Sequence, residues 1–385
     1  MLLVKPTHWQ TSPVAAKPSV MYLQKEELWI KLDFESQNTC VPDFSTTSLY
    51  GDQNQTNGTQ CHDPDDWEWL ITSQPVYILL ITVLGIVLNV FVLMVFCLHK
   101  KPCTVAEIYL SNLAVADLVL LSCLPFWAVN VSNDFNWPFG LFLCKVVNLG
   151  IKMNVYCSIY FLVLVSIDRY VALVHPMSHG RMRRPKYAKL SCLLTWVFGL
   201  ILSVPTLIFR DVNYIPELDV NACFLDYQND TLELLCDGLL VTFSFIIPIL
   251  IISFCTVKII QALKVQAVER FSAEKTEQRA TTLILAVLLA FLVCWVPFHL
   301  VTMLDVLLRA EVLRGCHLTN FLEICNQIST YLAFLNSVLN PILYVIVGKN
   351  FRKKVRELCR QWSIKRRATT ESTSSHLSST LKTLK

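Results

Sequence analysis

Charge is the scarcest property of this chain of 385 residues: only 16% are Asp, Glu, Lys or Arg, where a soluble globular chain carries about 25%. That shortage excludes an ordinary water-soluble enzyme. Catalytic patterns are missing as well. No HExxH, GxSxG, phosphate-binding loop or CxxC pair occurs and the eight His are scattered, so no enzyme activity is expected. There is no internal repeat, and the first ten residues lack the apolar core of a signal peptide. Export of the amino-terminal segment would then fall to the first apolar span.

What the chain does have is apolar length: 54% hydrophobic residues and a mean hydropathy of +0.48. Seven stretches, near 76–98, 107–131, 146–174, 188–209, 238–262, 281–308 and 321–347, are long enough to cross a hydrocarbon core that takes about 20 helical residues. Prolines inside them (Pro125, Pro205, Pro248, Pro297, Pro341) mark kinks, which membrane helices tolerate. The expected fold is therefore an all-α membrane protein, a seven-transmembrane-helix bundle over 76–347. Residues 1–75 form an extracellular tail, 348–362 a short amphipathic cytoplasmic helix, and 363–385 a disordered cytoplasmic tail.

Positive loops stay in the cytoplasm. With the amino terminus outside, the cytoplasmic segments hold 23 Lys and Arg against 5 Asp and Glu, and the outer segments 8 against 21. This predicts a multi-pass plasma-membrane protein with an extracellular amino terminus and no nucleic-acid partner. The N-x-S/T acceptors Asn54, Asn57, Asn130 and Asn229 all fall outside, as glycosylation requires. After the seventh span, Phe351, Val355, Leu358 and Trp362 recur at helical spacing among Lys and Arg, the pattern of a helix lying on the inner membrane surface. Cys359 on it is a candidate for palmitoylation.

Of fifteen Cys, the extracellular Cys61, Cys144, Cys223 and Cys316 stand out by position. A Cys144–Cys223 bridge would pin the loop before the fifth span over the bundle mouth, and Cys61–Cys316 would tie the amino-terminal tail to the last outer loop. Connectivity cannot be deduced from sequence alone, and Cys40 and Cys236 are competitors.

Ionisable groups inside a membrane are functional candidates. Asp117 lies among apolar residues, Asn154 and Ser158 stand four apart on the third span, and the seventh offers Asn336, Ser337 and Asn340. If these converge, one carboxylate among neutral oxygens suits a small hard cation, a proton, or a hydrogen-bond network with no ion. Asp168-Arg169-Tyr170 ends the third span, and Glu277 at the start of the sixth offers Arg169 a breakable partner, the two-state element a switch needs. The alternative is ordinary snorkelling of Arg169. Trp295 beside Pro297, and Pro341 with Tyr344, combine kinks with large side chains that can act as hinges.

Asn89, LAVAD ending at Asp117, Cys144 with Cys223, Asp168-Arg169-Tyr170, Trp196, Pro248, CWVP at 294–297 and NPILY at 340–344 together resemble the rhodopsin-like G-protein-coupled receptors over about 75–362. The resemblance implies that Asp117, Asn154, Ser158, Asn336, Ser337 and Asn340 line an allosteric sodium pocket, with Asp117 as the metal ligand. It also implies that Arg169 engages a heterotrimeric G protein, and that receptor kinases and arrestin act at the Ser/Thr-rich tail. One departure is Thr256, where many members carry Tyr.

Residues 96–140, LVSIDRYVALVHPM (164–177) and YVIVGKNFRKK (344–354) look like the bradykinin receptors, and Cys61 fits their amino-terminal pattern. That similarity implies a kinin peptide ligand and Gq-class signalling to phospholipase C and calcium. Asp305 and Glu323 would face its basic amino end, with Trp127, Ile151, Lys152, Phe298, His299 and Gln327 deeper. Lys152, His299 and VLRGC (312–316) resemble the type-1 branch, which prefers the peptide lacking its terminal Arg, because an ammonium attracts a carboxylate and repels a guanidinium. Segment 96–140 reads like type 2, and Asp211–Pro248 lacks the second basic residue of type 1; the balance leans to type 1. The competing readings are an angiotensin-like or chemokine-like peptide receptor and a seven-span ion-coupled transporter. A transporter would show repeat halves.

Overall fold

A computed structural model describes residues 68–100, 102–175, 184–216, 219–227, 229–268, 275–310, 312, 316–348 and 350–363. Within these, the side chains of 68–71, 230, 263, 265–268, 275–281, 283–284, 316–320 and 323 lie outside the description. Glu277, Cys316 and Glu323 are therefore placed by backbone alone, while Asn54, Asn57, Cys40, Cys61 and the tail beyond 363 lie outside the described residues.

The helices are α1 (Glu68–Leu98), α2 (Val105–Ser132), α3 (Gly140–Val174), α4 (Pro185–Phe209), α5 (Asp230–Val241), α6 (Ile247–Val268), α7 (Lys275–Arg309) and α8 (Cys316–Ile346), followed by α9 over 350–363. Seven spans result, with α5 and α6 forming the fifth. The outward faces of α1 and α4 carry exposed Leu, Ile and Val, such as Leu80, Val83, Leu193 and Ile201. In water that surface would be an aggregation liability; against lipid it is the expected exterior. Inside, α3 is the most buried span. Gly199 lets α4 approach it: a Cβ there would stand 2.6 Å from Cys157 Sγ.

Two spans begin earlier than their hydropathy suggests, the third at Gly140 and the fifth at Thr231. The fifth carries Glu233 and Asp237 in its first turns, and both are buried. Hydropathy alone ends a span at such residues, whereas here a basic side chain from another helix accommodates them.

Between α5 and α6 the backbone takes a wide π-turn over Thr242–Ile246, with Ile247 N donating to Thr242 O. Five residues beyond Phe243 comes Pro248, which has no N–H to give, so Phe243 O would be orphaned. Tyr160 of α3 donates its hydroxyl to that carbonyl at 2.9 Å.

At one end of the bundle lies an antiparallel hairpin of β1 (Arg210–Ile215) and β2 (Val220–Leu225), with Val212 opposite Cys223. Sequence reading expected a loop here. The hairpin is fixed by the Cys144–Cys223 disulfide, Cα–Cα 5.9 Å, and by Trp137 N donating to Asn221 O at 2.8 Å. Arg210 is fully buried beneath it, its Nη1 donating to Cys223 O at 3.0 Å. Burial pushes this guanidinium down to about 10, which leaves it cationic at neutral pH.

At the opposite end α9 docks against α1 and α2. Phe351 packs edge-on to Phe96 and Phe91, centroids 5.6 and 6.0 Å away, while Trp362 stays 64% exposed. An ion pair, Lys354 Nζ to Glu107 Oε1, and a hydrogen bond between His99 Nε2 and Glu357 Oε2, both 2.9 Å, pin the helix. Glu107 also closes the capping box of α2 with Thr104.

Candidate functional site

Three regions along the bundle axis hold the residues singled out from sequence. Near the middle, Asp117 is fully buried. Its Oδ1 accepts from Ser337 Oγ at 2.9 Å and Asn154 Nδ2 at 3.3 Å, and its Oδ2 from Asn340 Nδ2 at 3.2 Å. Every donor is neutral. The amide oxygens of Asn336 and Asn340 are buried without a partner among the described residues. One carboxylate with spare neutral oxygens fits a hard monovalent cation. Ser158, one turn along α3 from Asn154 and fully buried, donates its hydroxyl back to Asn154 O at 2.7 Å.

Toward the α9 end, Arg169 is buried and donates from Nε to Asp168 Oδ2 at 3.0 Å, with Nη2 on the same oxygen. Tyr170 pairs its hydroxyl with His175 Nε2 at 3.0 Å. Tyr344 is buried against Phe351.

Toward the hairpin end opens a cleft between α3, α5, α7 and α8, lined by Lys152, Leu240, Phe298, Thr302, Asp305 and Asn326. Below it, aromatic rings form a column: Phe245 stacks on His299 at 4.9 Å, His299 on Trp295 at 5.8 Å, and Trp295 on Phe291 at 5.8 Å. Pro297 stands inside α7 between Trp295 and His299, where it removes one backbone donor from the helix ladder. A ligand pressing on His299 would therefore bear on Trp295 directly. Both ring nitrogens of His299 and Trp295 Nε1 are buried without hydrogen-bond partners among the described residues, so this column is held by packing.

Trp127 and Ile151 are buried in the cluster that holds Cys144 and Cys223, and neither lines the cleft. Gln327 Oε1 accepts from Gln74 Nε2 at 3.1 Å, joining α8 to α1. Asp305 lines the cleft as expected, but its carboxylate is engaged by Arg309 four residues on. That arginine also reaches Glu233 Oε1 at 2.9 Å and Asp237 Oδ2 at 3.8 Å. Sequence reading passed over Arg309, Glu233, Asp237 and Gln74. The signal was present: two carboxylates four apart in a span, with no Lys or Arg between 211 and 248, require a cation from another helix.

One expectation is corrected. Asn130 lies within α2 and is 0% exposed, so no glycan fits there in the folded chain. Asn229 is exposed at the amino-terminal cap of α5.

The profile of the 7 transmembrane receptors (rhodopsin family) matches residues 88–344. The chain is 48% identical over 328 residues to the B2 bradykinin receptor of Rattus norvegicus, covering 83% of this chain and 82% of that one. To the B2 bradykinin receptor of Cavia porcellus it is 50% identical over 325 residues, 82% and 87%. This chain belongs to the rhodopsin family, among the bradykinin receptors. The human B1 bradykinin receptor is 41% identical over 308 residues, 79% and 87%, so both branches are related to this chain. Membership makes the molecule a multi-pass membrane receptor that works with a G protein, and not an enzyme.

Proposed function

We propose that this receptor binds a kinin peptide at the hairpin end, with its amino terminus extracellular, and couples through a Gq-class G protein to phospholipase C and calcium. The observation that carries the reading is the mixed cleft over the aromatic column. Lys152 at its base suits a peptide's carboxyl end, and Asp305 with the Glu233–Asp237 pair suits a basic amino end. Peptide seated on Phe298 and His299 displaces Trp295, α7 swings at Pro297, and Arg169 leaves Asp168 for the G protein. Asp117, with Ser337, Asn154, Ser158 and the spare oxygens of Asn336 and Asn340, would hold a sodium ion, and that ion's charge would balance the buried carboxylate in the resting arrangement. Glycans at Asn229, Asn54 and Asn57, a Cys61–Cys316 bridge, a palmitate on Cys359 and tail contacts with receptor kinases and arrestin complete the proposal.

Calcium release in cells expressing the chain, titrated with bradykinin in parallel with angiotensin and chemokine peptides, tests the ligand. Response to bradykinin alone is expected; response to one of the others would overturn the kinin assignment. For the ion, raising sodium should weaken agonist binding to the wild type and leave Asp117→Asn unaffected.

A further inference from the structure

Tyr214 presents its phenol to solvent from the hairpin. It lies in β1, 55% exposed, with Asn213 exposed beside it. β1 pairs with β2 on one side and with no other strand among the described residues. An unpaired strand edge offers its backbone to an enzyme that reads extended chain. The surroundings of the phenol are acidic. Its hydroxyl donates to Asp219 Oδ1 at 2.8 Å, Asp211 stands three residues before it, and no Lys or Arg occurs between 211 and 248. Arg210, the nearest cation along the chain, is buried beneath the hairpin with Nη1 on Cys223 O. Tyr227, just past the hairpin, differs: its ring packs on Phe209 with centroids 5.1 Å apart.

We infer that Tyr214 is a tyrosine O-sulfation site, modified in the secretory lumen as the receptor travels to the cell surface. The inference rests on the outward orientation of the hairpin end proposed above. The sulfuryl donor is a nucleotide phosphosulfate, a mixed anhydride. The phenol oxygen attacks its sulfur, so that a phenol O–S bond forms and the donor's S–O bond to the phosphate breaks. The nucleotide phosphate leaves with the electron pair, and the phenolic proton passes to a base of the sulfotransferase. An enzyme that holds so anionic a donor carries cationic side chains, to which the carboxylates around Tyr214 are complementary. The ester has no proton left for Asp219, so the two anions separate and the sulfate turns to solvent. A fixed negative charge is thereby added to an acidic outer face, where it draws in cationic ligands.

The test uses full-length receptor purified from cultured cells and probed with an antibody to sulfotyrosine. A background of Tyr22→Phe and Tyr50→Phe removes the tyrosines of the amino-terminal segment. In it a signal is expected that disappears when the cells are grown with chlorate, which blocks synthesis of the sulfuryl donor. The signal should also disappear on adding Tyr214→Phe and persist on adding Tyr227→Phe. Mass spectrometry of the wild-type receptor should place the sulfate on the peptide that holds Tyr214, a readout that stands even if Tyr214→Phe fails to reach the surface. An epitope tag on the amino terminus, stained on intact cells, reads the orientation separately. No sulfate on Tyr214 in receptor whose tag is stained from outside, or a signal that survives Tyr214→Phe, would overturn the inference. A tag stained only after the cells are made permeable would instead overturn the outward orientation, and this inference with it.

Discussion

Tyr160→Phe isolates a single hydrogen bond at the π-turn. The phenyl ring keeps the contacts with Phe198, centroids 5.1 Å apart, and only the hydroxyl on Phe243 O, 2.9 Å away, is lost. An orphaned buried carbonyl costs about 1–3 kcal/mol, but side-chain hydrogen bonds in membrane helices average about 0.6 and reach about 1.7 kcal/mol. The fifth span lies within the bilayer, so the expected loss is about 1 kcal/mol. It should appear as a fall of a few degrees in the midpoint of thermal inactivation. Purified receptor heated with a thiol-reactive fluorophore reports it, because Cys157, Cys192, Cys255 and Cys294 are buried and become reactive on unfolding. The decisive background is Pro248→Ala, which restores an N–H five residues after Phe243. There Tyr160→Phe should cost markedly less. An equal loss in both backgrounds would refute the account of why the tyrosine is needed, and no loss in the otherwise wild-type receptor would refute the hydrogen bond's contribution.

Two further predictions follow from the ends of the bundle. Asn130→Gln should leave the glycosylated mobility of the receptor on a gel unchanged while Asn229→Gln reduces it, and loss of a glycan in Asn130→Gln would contradict the burial of that side chain. Glu107→Gln should weaken the docking of α9, since it breaks the pair with Lys354, and should raise the reactivity or cross-linking distance of a probe on Cys359; these partly buried charges are worth about 1 kcal/mol, Lys354→Gln should reproduce the effect, and a probe on Cys359 unmoved by both would contradict the pairing.

Much of this architecture was legible in the sequence because the membrane simplifies the problem. Seven apolar lengths and one-sided basic loops follow from hydrocarbon thickness and charge, and the Asp117 cluster follows from the cost of burying a carboxylate without neutral donors. The Cys144–Cys223 bridge was one of several pairings until the fold brought the two Cα atoms within 5.9 Å. What escaped depended on contacts between helices distant in sequence. Glu233 and Asp237 read as loop residues because their cation, Arg309, comes from α7, more than seventy residues on. The π-turn was hidden because its stabilising donor, Tyr160, belongs to α3. Asn130 read as a surface acceptor because a sequon carries no information about which face of α2 it occupies. The Arg169–Glu277 latch falls on a side chain outside the described residues; what the fold places beside Arg169 is Asp168.

The central claim is that peptide in the cleft of this receptor drives nucleotide exchange on a G protein. It is tested most directly with purified receptor in lipid nanodiscs and purified Gq, by following bradykinin-dependent exchange of labelled GTP analogue. The account predicts a peptide-dependent rate that is lost in Arg169→Ala while peptide binding persists. Exchange that bradykinin does not accelerate, or that survives in Arg169→Ala unchanged, would contradict it.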